Sequence, residues 1–148
     1  MKTRAAIQLE HNGPLTVDEI ELPDPDDDQV IVKQFASGIC HSQLHQMHNP
    51  NLVRPLLLGH ESTGVVVAKG SNVSHVREGD HVMVTWVPRD GHEGMDPPTQ
   101  GAMAYGGKTA SWQASPTWAE ATIAHQQYVV PLDHDRPVWL SAPELQPG

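Results

Sequence analysis

The chain has 148 residues, nine of them basic and eighteen acidic, for a formal net charge of −9, and 38% are hydrophobic. That charge balance repels phosphate backbones and anionic lipid, which makes nucleic acid and membrane surfaces poor candidate partners. The length fits one domain with a modest core. No apolar run approaches bilayer-spanning length and no signal-like segment follows Met1-Lys2-Thr3-Arg4, so a cytoplasmic protein is expected. One cysteine, Cys40, excludes an internal disulfide framework.

In chain order, Ala5 to Leu9 and Leu15 to Ile20 flank the turn signal Asn12-Gly13-Pro14 and predict a hairpin. Asp24-Pro25-Asp26-Asp27-Asp28 reads as a solvated turn. Gln29 to Ser37 alternates as a half-buried strand would, with Val30, Val32 and Gln34 on one side, and it ends at Gly38 and Cys40. A short helix is expected over Cys40 to Met47, with Leu44 beneath and with Ser42 and His45 turned toward a site. Leu56-Leu57-Leu58 reads as a buried connector into Gly59-His60-Glu61, and Val65-Val66-Val67 as a strand turned by Gly70-Ser71-Asn72. Glu78-Gly79-Asp80 turns the chain into a strand from His81 to Trp86. Pro88 to Pro116 shows no periodicity and reads as a long loop, regular structure resumes over Trp118 to Val130, and Pro131 to Gly148 reads as an irregular tail. No internal repeat is present. Many short strands between Gly and Pro turns predict a mainly β fold, a partly open antiparallel barrel with a few short helices.

Chemistry concentrates between Gly38 and Val73. Thiolate and imidazole are the usual Zn²⁺ ligands, and a catalytic zinc takes three protein ligands with one position left open. Cys40 and His60 are two such ligands. The run Gly59-His60-Glu61-Ser62-Thr63-Gly64, with Gly70 and Val73, and the run Gly38-Ile39-Cys40-His41-Ser42 resemble the two metal-ligand motifs of the zinc-dependent alcohol dehydrogenases, in the medium-chain dehydrogenase/reductase family. The resemblance covers about Lys2 to about Val130 and implies the GroES-like catalytic domain of that family, across residues 1–148 as a single unit.

The resemblance also implies roles. Cys40 and His60 would hold a catalytic zinc, with Glu61 as an alternating ligand or outer partner. Ser42 would accept the alcohol proton and His45 would pass it to solvent, although a helix cap and an exposed histidine explain the same residues. His41 would contact cofactor phosphate, and Trp86 would line a pocket for a small alcohol or aldehyde, or else sit in the core as a strand tryptophan. Hydride would go to NAD or NADP on a Rossmann domain, in cis or in trans. Tyr105-Gly106-Gly107-Lys108 lacks the spacing of a dinucleotide fingerprint, so this chain alone is expected to hold no nicotinamide cofactor and to be inactive. The face packing on such a domain would be partly apolar, which makes a homo-oligomer conceivable.

Two departures from the family pattern stand out. Gln43 occupies the place of an aspartate that orients the ligand histidine, which implies a weaker zinc site. Where many members carry four cysteines, this chain has Asp90, Glu93 and Asp96 beside His92, which read as a solvated acidic loop, so no structural zinc is expected. Spacing selects no third zinc ligand among His92, Glu93, His125 and Glu144. A non-catalytic GroES-like module that binds metal or a protein partner is the alternative reading.

Overall fold

The computed structural model describes residues 1–89 and 98–133. Among them lie ten strands, one α-helix and one 3-10 turn, arranged as two five-stranded sheets. The expected tail from residue 134 onward, the acidic residues Asp90, Glu93 and Asp96 and the neighbouring His92 fall outside the described residues, as does Glu144, whereas Pro131 closes the last strand.

The first sheet runs in the order β2-β1-β4-β8-β7. β1 (Lys2–Gln8) and β2 (Leu15–Glu21) form the expected hairpin, paired from Lys2 opposite Glu21 to Gln8 opposite Leu15. The leucine connector is itself a strand, β4 (Leu56–Leu57), antiparallel to β1 and parallel to β8. β7 (Gln100–Tyr105) and β8 (Lys108–Gln113) form a second hairpin inside the stretch read as loop. Its two-residue turn is Gly106-Gly107, with φ of +54° and +75°. Positive φ at both central residues gives the twist that a tight hairpin needs, and glycine reaches it without strain. The outer strands β2 and β7 approach one another, and Tyr105 donates its phenolic hydrogen to Asp18 Oδ2 at 2.5 Å across the gap. This sheet is therefore a nearly closed barrel wall.

The second sheet runs β10-β6-β5-β3-β9. Its members are β3 (Gln29–Ser37), β5 (Ser62–Lys69), β6 (His81–Val84), β9 (Ala121–His125) and β10 (Val129–Pro131), all antiparallel. The 3-10 turn Gln126–Tyr128 joins β9 to β10. Trp118 to Ala121 stitches the sheets together: Ala6 N–H donates to Trp118 O, Gln34 N–H to Glu120 O and Glu120 N–H to Arg4 O.

β3 is not half-buried. Val30 and Val32 enter one apolar cluster with Val66, Val73, Val82, Val84 and Val129, while Ile31 enters the other with Ile7, Leu57, Trp112 and Ile123. A strand with a core on each side is apolar on both faces, and beyond Val32 the strand is exposed except for half-buried Gln34, so the expected alternation does not appear. At its end, Phe35 is exposed.

Candidate metal centre

Three neighbouring strands place the site. The C-terminal end of β3 pairs with the start of β5, Ser37 opposite Ser62, and the start of β5 pairs with the end of β6, Ser62 opposite Val84. The segments beyond those ends, which carry Cys40, His60-Glu61 and Trp86, therefore emerge at one end of the sheet. Gly59 makes the entry turn at φ +100°, where a Cβ would fall 2.3 Å from Thr117 Oγ1. Thr117 Oγ1 in turn accepts from the Glu61 N–H at 3.2 Å, and Gly38 N–H donates to Glu61 O at 3.0 Å. Trp118 Nε1 donates to Gly38 O at 3.0 Å. The loop bearing Cys40 and the turn bearing His60 are thus tied to each other and to Thr117-Trp118.

Cys40, His60 and Glu61 each bring one ligand atom within 4.8 Å of the others. Thiolate, imidazole and carboxylate make a donor set suited to zinc, and three such groups converging on one point fit a single cation. His60 is 8% exposed; burial holds its pKa below the ordinary histidine range, opposed by the neighbouring Glu61. The same group does not include His125, which sits at the end of β9 and accepts from Gln127 N–H.

The helix, α1 (Ser42–His48), follows Cys40 directly. Leu44 points outward, at 45% exposure, and the residue that α1 buries is Gln43. A polar residue displaces the leucine because its partners are inside: Gln43 Oε1 accepts from Cys40 N–H at 3.1 Å, and Gln43 Nε2 lies 2.6 Å from His60 Nδ1. Ser42 does not cap the helix, since no side-chain cap bond forms, and its Oγ is buried with no hydrogen-bond partner. His45 and His41 are both exposed, with their rings edge to face at 5.0 Å. Arg54 fastens the far end of α1 by donating to the carbonyls of Gln46, Met47, Asn49 and Leu52.

Cys40, Ser42, His60 and Trp86 line one cavity of about 410 Å³. Trp86 is 60% exposed and stands edge to face with His60 at 6.4 Å, so it is a wall of the cavity and not a core residue. The rest of the lining was not foreseen from the sequence: Thr99, Gln100, Gln113 and Ala114 at the ends of β7 and β8, together with Gln46 and Tyr128. The Gly106-Gly107 turn was the available signal for that hairpin. Ile39, Leu44, Trp86 and Val87 are exposed apolar side chains on the segments around the site. No helix among the described residues is long and apolar enough to cross a membrane.

The NDMA-dependent alcohol dehydrogenase of Amycolatopsis methanolica is 39% identical over 92 residues, which cover 62% of this chain and 25% of that protein. The alcohol dehydrogenase class-3 of Cereibacter sphaeroides is 40% identical over 90 residues, 60% of this chain and 24% of that protein. The chain thus spans about a quarter of the length of the curated relatives it matches. Among solved structures, an alcohol dehydrogenase zinc-binding domain protein from Burkholderia ambifaria superposes with a TM-score of 0.75 at 24% identity, covering 95% of this chain and 44% of that one. Benzyl alcohol dehydrogenase from Acinetobacter calcoaceticus gives 0.74 at 23% identity, covering 95% and 43%. At these identities the structural likeness establishes the fold alone. The sequence profile of the alcohol dehydrogenase GroES-like domain matches residues 26–134. With most of its length inside that match, the chain belongs to the medium-chain zinc alcohol dehydrogenase family, as its GroES-like domain.

Proposed function

We propose that this chain is the catalytic domain of a zinc-dependent oxidoreductase that interconverts small alcohols with aldehydes or ketones. The observation that carries the reading is the convergence of Cys40, His60 and Glu61 within 4.8 Å at the wall of a cavity that also holds the unpartnered Ser42 Oγ. Those three residues hold the metal. Zinc bound there supplies Lewis-acid polarisation of an alcohol oxygen.

The chain's own groups do the rest. A buried hydroxyl without a partner lacks a hydrogen bond that a substrate oxygen can supply, and a serine hydroxyl accepts one proton while donating another. Ser42 Oγ takes the alcohol proton, and His45, exposed three residues further along α1, releases it to solvent. Trp86 lays an apolar wall beside His60 and narrows the cavity toward slender substrates. His41, at the exposed start of the helix, contacts the phosphates of NAD or NADP. That cofactor is carried by a Rossmann domain in cis or in trans, and the exposed apolar side chains around the site support contact with it.

Zinc content tests the reading. The purified chain is expected to carry about one zinc, lost in both Cys40→Ser and His60→Ala. Zinc retained by both variants would place the metal elsewhere and refute the site. The chain alone is expected to give no NAD(P)-linked alcohol oxidation, and turnover by it without a second domain would refute the need for one.

A further inference from the structure

Gln43 is 1% exposed and touches both ligand-bearing segments, and the two ends of its carboxamide are chemically different. The Cys40 N–H can only donate, so the oxygen end must face it, as it does at 3.1 Å. The nitrogen end then faces His60 Nδ1 at 2.6 Å, and an NH₂ group can only donate. Nδ1 must therefore present its lone pair to Gln43, which in a neutral imidazole puts the hydrogen on Nε2. Neither nitrogen is then open to a cation: Nε2 carries hydrogen, and Nδ1 is covered by the amide.

We propose that Gln43 is a positioning residue that holds metal-free His60 as the Nε2–H tautomer, so that metal binding requires its buried amide to turn over. This rests on the metal reading given above. With the amide turned, its oxygen accepts from Nδ1–H and Nε2 becomes free to ligate. The NH₂ then meets the Cys40 N–H, two donors face each other in a part-buried position, and the hydrogen bond between them is lost. The cost corresponds to a loss of about 10- to 100-fold in metal affinity. Tautomer exchange leaves the ring neutral throughout. A glutamate at position 43 has the same length and two acceptor ends, so it can take both the Cys40 N–H and Nδ1–H at once.

The test uses the metal-free chain, zinc ions and a competing chromogenic chelator. Gln43→Glu is expected to tighten zinc binding by about 10- to 100-fold. Gln46→Glu, which places the same charge on the same helix at the same cavity, is expected to change it by less than about threefold, the reach of a charge that makes no ligand hydrogen bond. Nitrogen-15 correlation spectra of the metal-free parent should show the Nε2–H pattern at His60, a signature that a merely structural glutamine would not set. An Nδ1–H pattern, unchanged affinity in Gln43→Glu, or equal tightening by Gln46→Glu each overturns the proposal. Absence of zinc binding in every variant would overturn the metal reading instead, and the parent's tautomer would then decide the role of Gln43 by itself. That spectrum also decides it should Gln43→Glu fail to fold.

Discussion

Replacing Arg54 by methionine keeps an unbranched apolar stem and removes the guanidinium. In the structure that group donates to Gln46 O at 3.1 Å, Met47 O at 3.0 Å, Asn49 O at 2.9 Å and Leu52 O at 2.5 Å, and to Gln8 Oε1 at 3.1 Å. The last carbonyls of a helix have no partner within it, and seven residues are too few for α1 to persist by itself. A single hydrogen bond to a charged donor contributes about 1.5–3 kcal/mol, but these five share one half-buried group that water partly replaces, so they do not add. The expected loss is about 2–4 kcal/mol. For a chain of this size that lowers the melting temperature by about 5–15 °C. Thermal and urea unfolding measure the loss, and hydrogen exchange should show α1 amides losing protection before those of the sheets. Arg54→Lys, with three donors on a point charge, should fall between parent and methionine. A methionine variant within about 1 °C of the parent would refute the view that this cation holds the helix in place.

Two further outcomes are expected. His125 Nδ1 accepts from Gln127 N–H at 3.3 Å, and burial lowers its pKa against a smaller opposing effect of Asp28. The unfolded chain therefore takes up that proton first: stability is complete above about pH 6.5 and falls as pH drops from there through the lower folded value. His125→Asn, which keeps an acceptor that cannot charge, should make urea midpoints less pH-dependent between pH 7.5 and 5 than in the parent; an unchanged slope contradicts the assignment. At Gly38 a Cβ would meet Glu61 Oε1 at 2.6 Å. Because Cγ at 2.7 Å and Cδ at 2.8 Å stand in the way as well, the Glu61 side chain must swing aside as a whole, and Gly38→Ala should cost about 1–3 kcal/mol in unfolding while displacing the carboxylate. Its zinc affinity should then match that of Glu61→Gln, and a Gly38→Ala chain that binds zinc like the parent would remove Glu61 from the metal's surroundings.

The parts of the fold legible in the sequence are those where local chemistry and tertiary position agree. Asn12-Gly13-Pro14 makes a hairpin in any context, and the motif around His60 is legible because a turn at positive φ packed against Thr117 admits only glycine at position 59. Gln100–Tyr105 and Lys108–Gln113 were opaque for the opposite reason. They are short of β-branched residues, and they become strands by pairing with each other and, at Ser111, with Leu56 far back in the chain. Leu44 turns outward, contrary to expectation, because apolarity predicts burial only where no buried partner is waiting for a polar neighbour, here Gln43. Whether a carboxamide belongs inside depends on the Cys40 N–H and the His60 ring, and their convergence exists only once β3 and β5 have paired.

The gap between β2 and β7 bears on how this protein meets other copies of itself. An outer strand ordinarily offers a row of unused amides and carbonyls on which a second chain can continue the sheet. Here the two outer strands of the first sheet face one another, fastened by Tyr105 and Asp18 side chains and not by a backbone ladder. That arrangement keeps an incoming strand from docking while leaving the seam free to slide or part, since no register is fixed across it. The hydrogen bond holds the Asp18 carboxyl below its usual range, so the contact is strongest above the ordinary aspartate range and weakens as acid protonates it. Where copies of this chain do pair strand to strand within the first sheet, this seam is the edge that must open first.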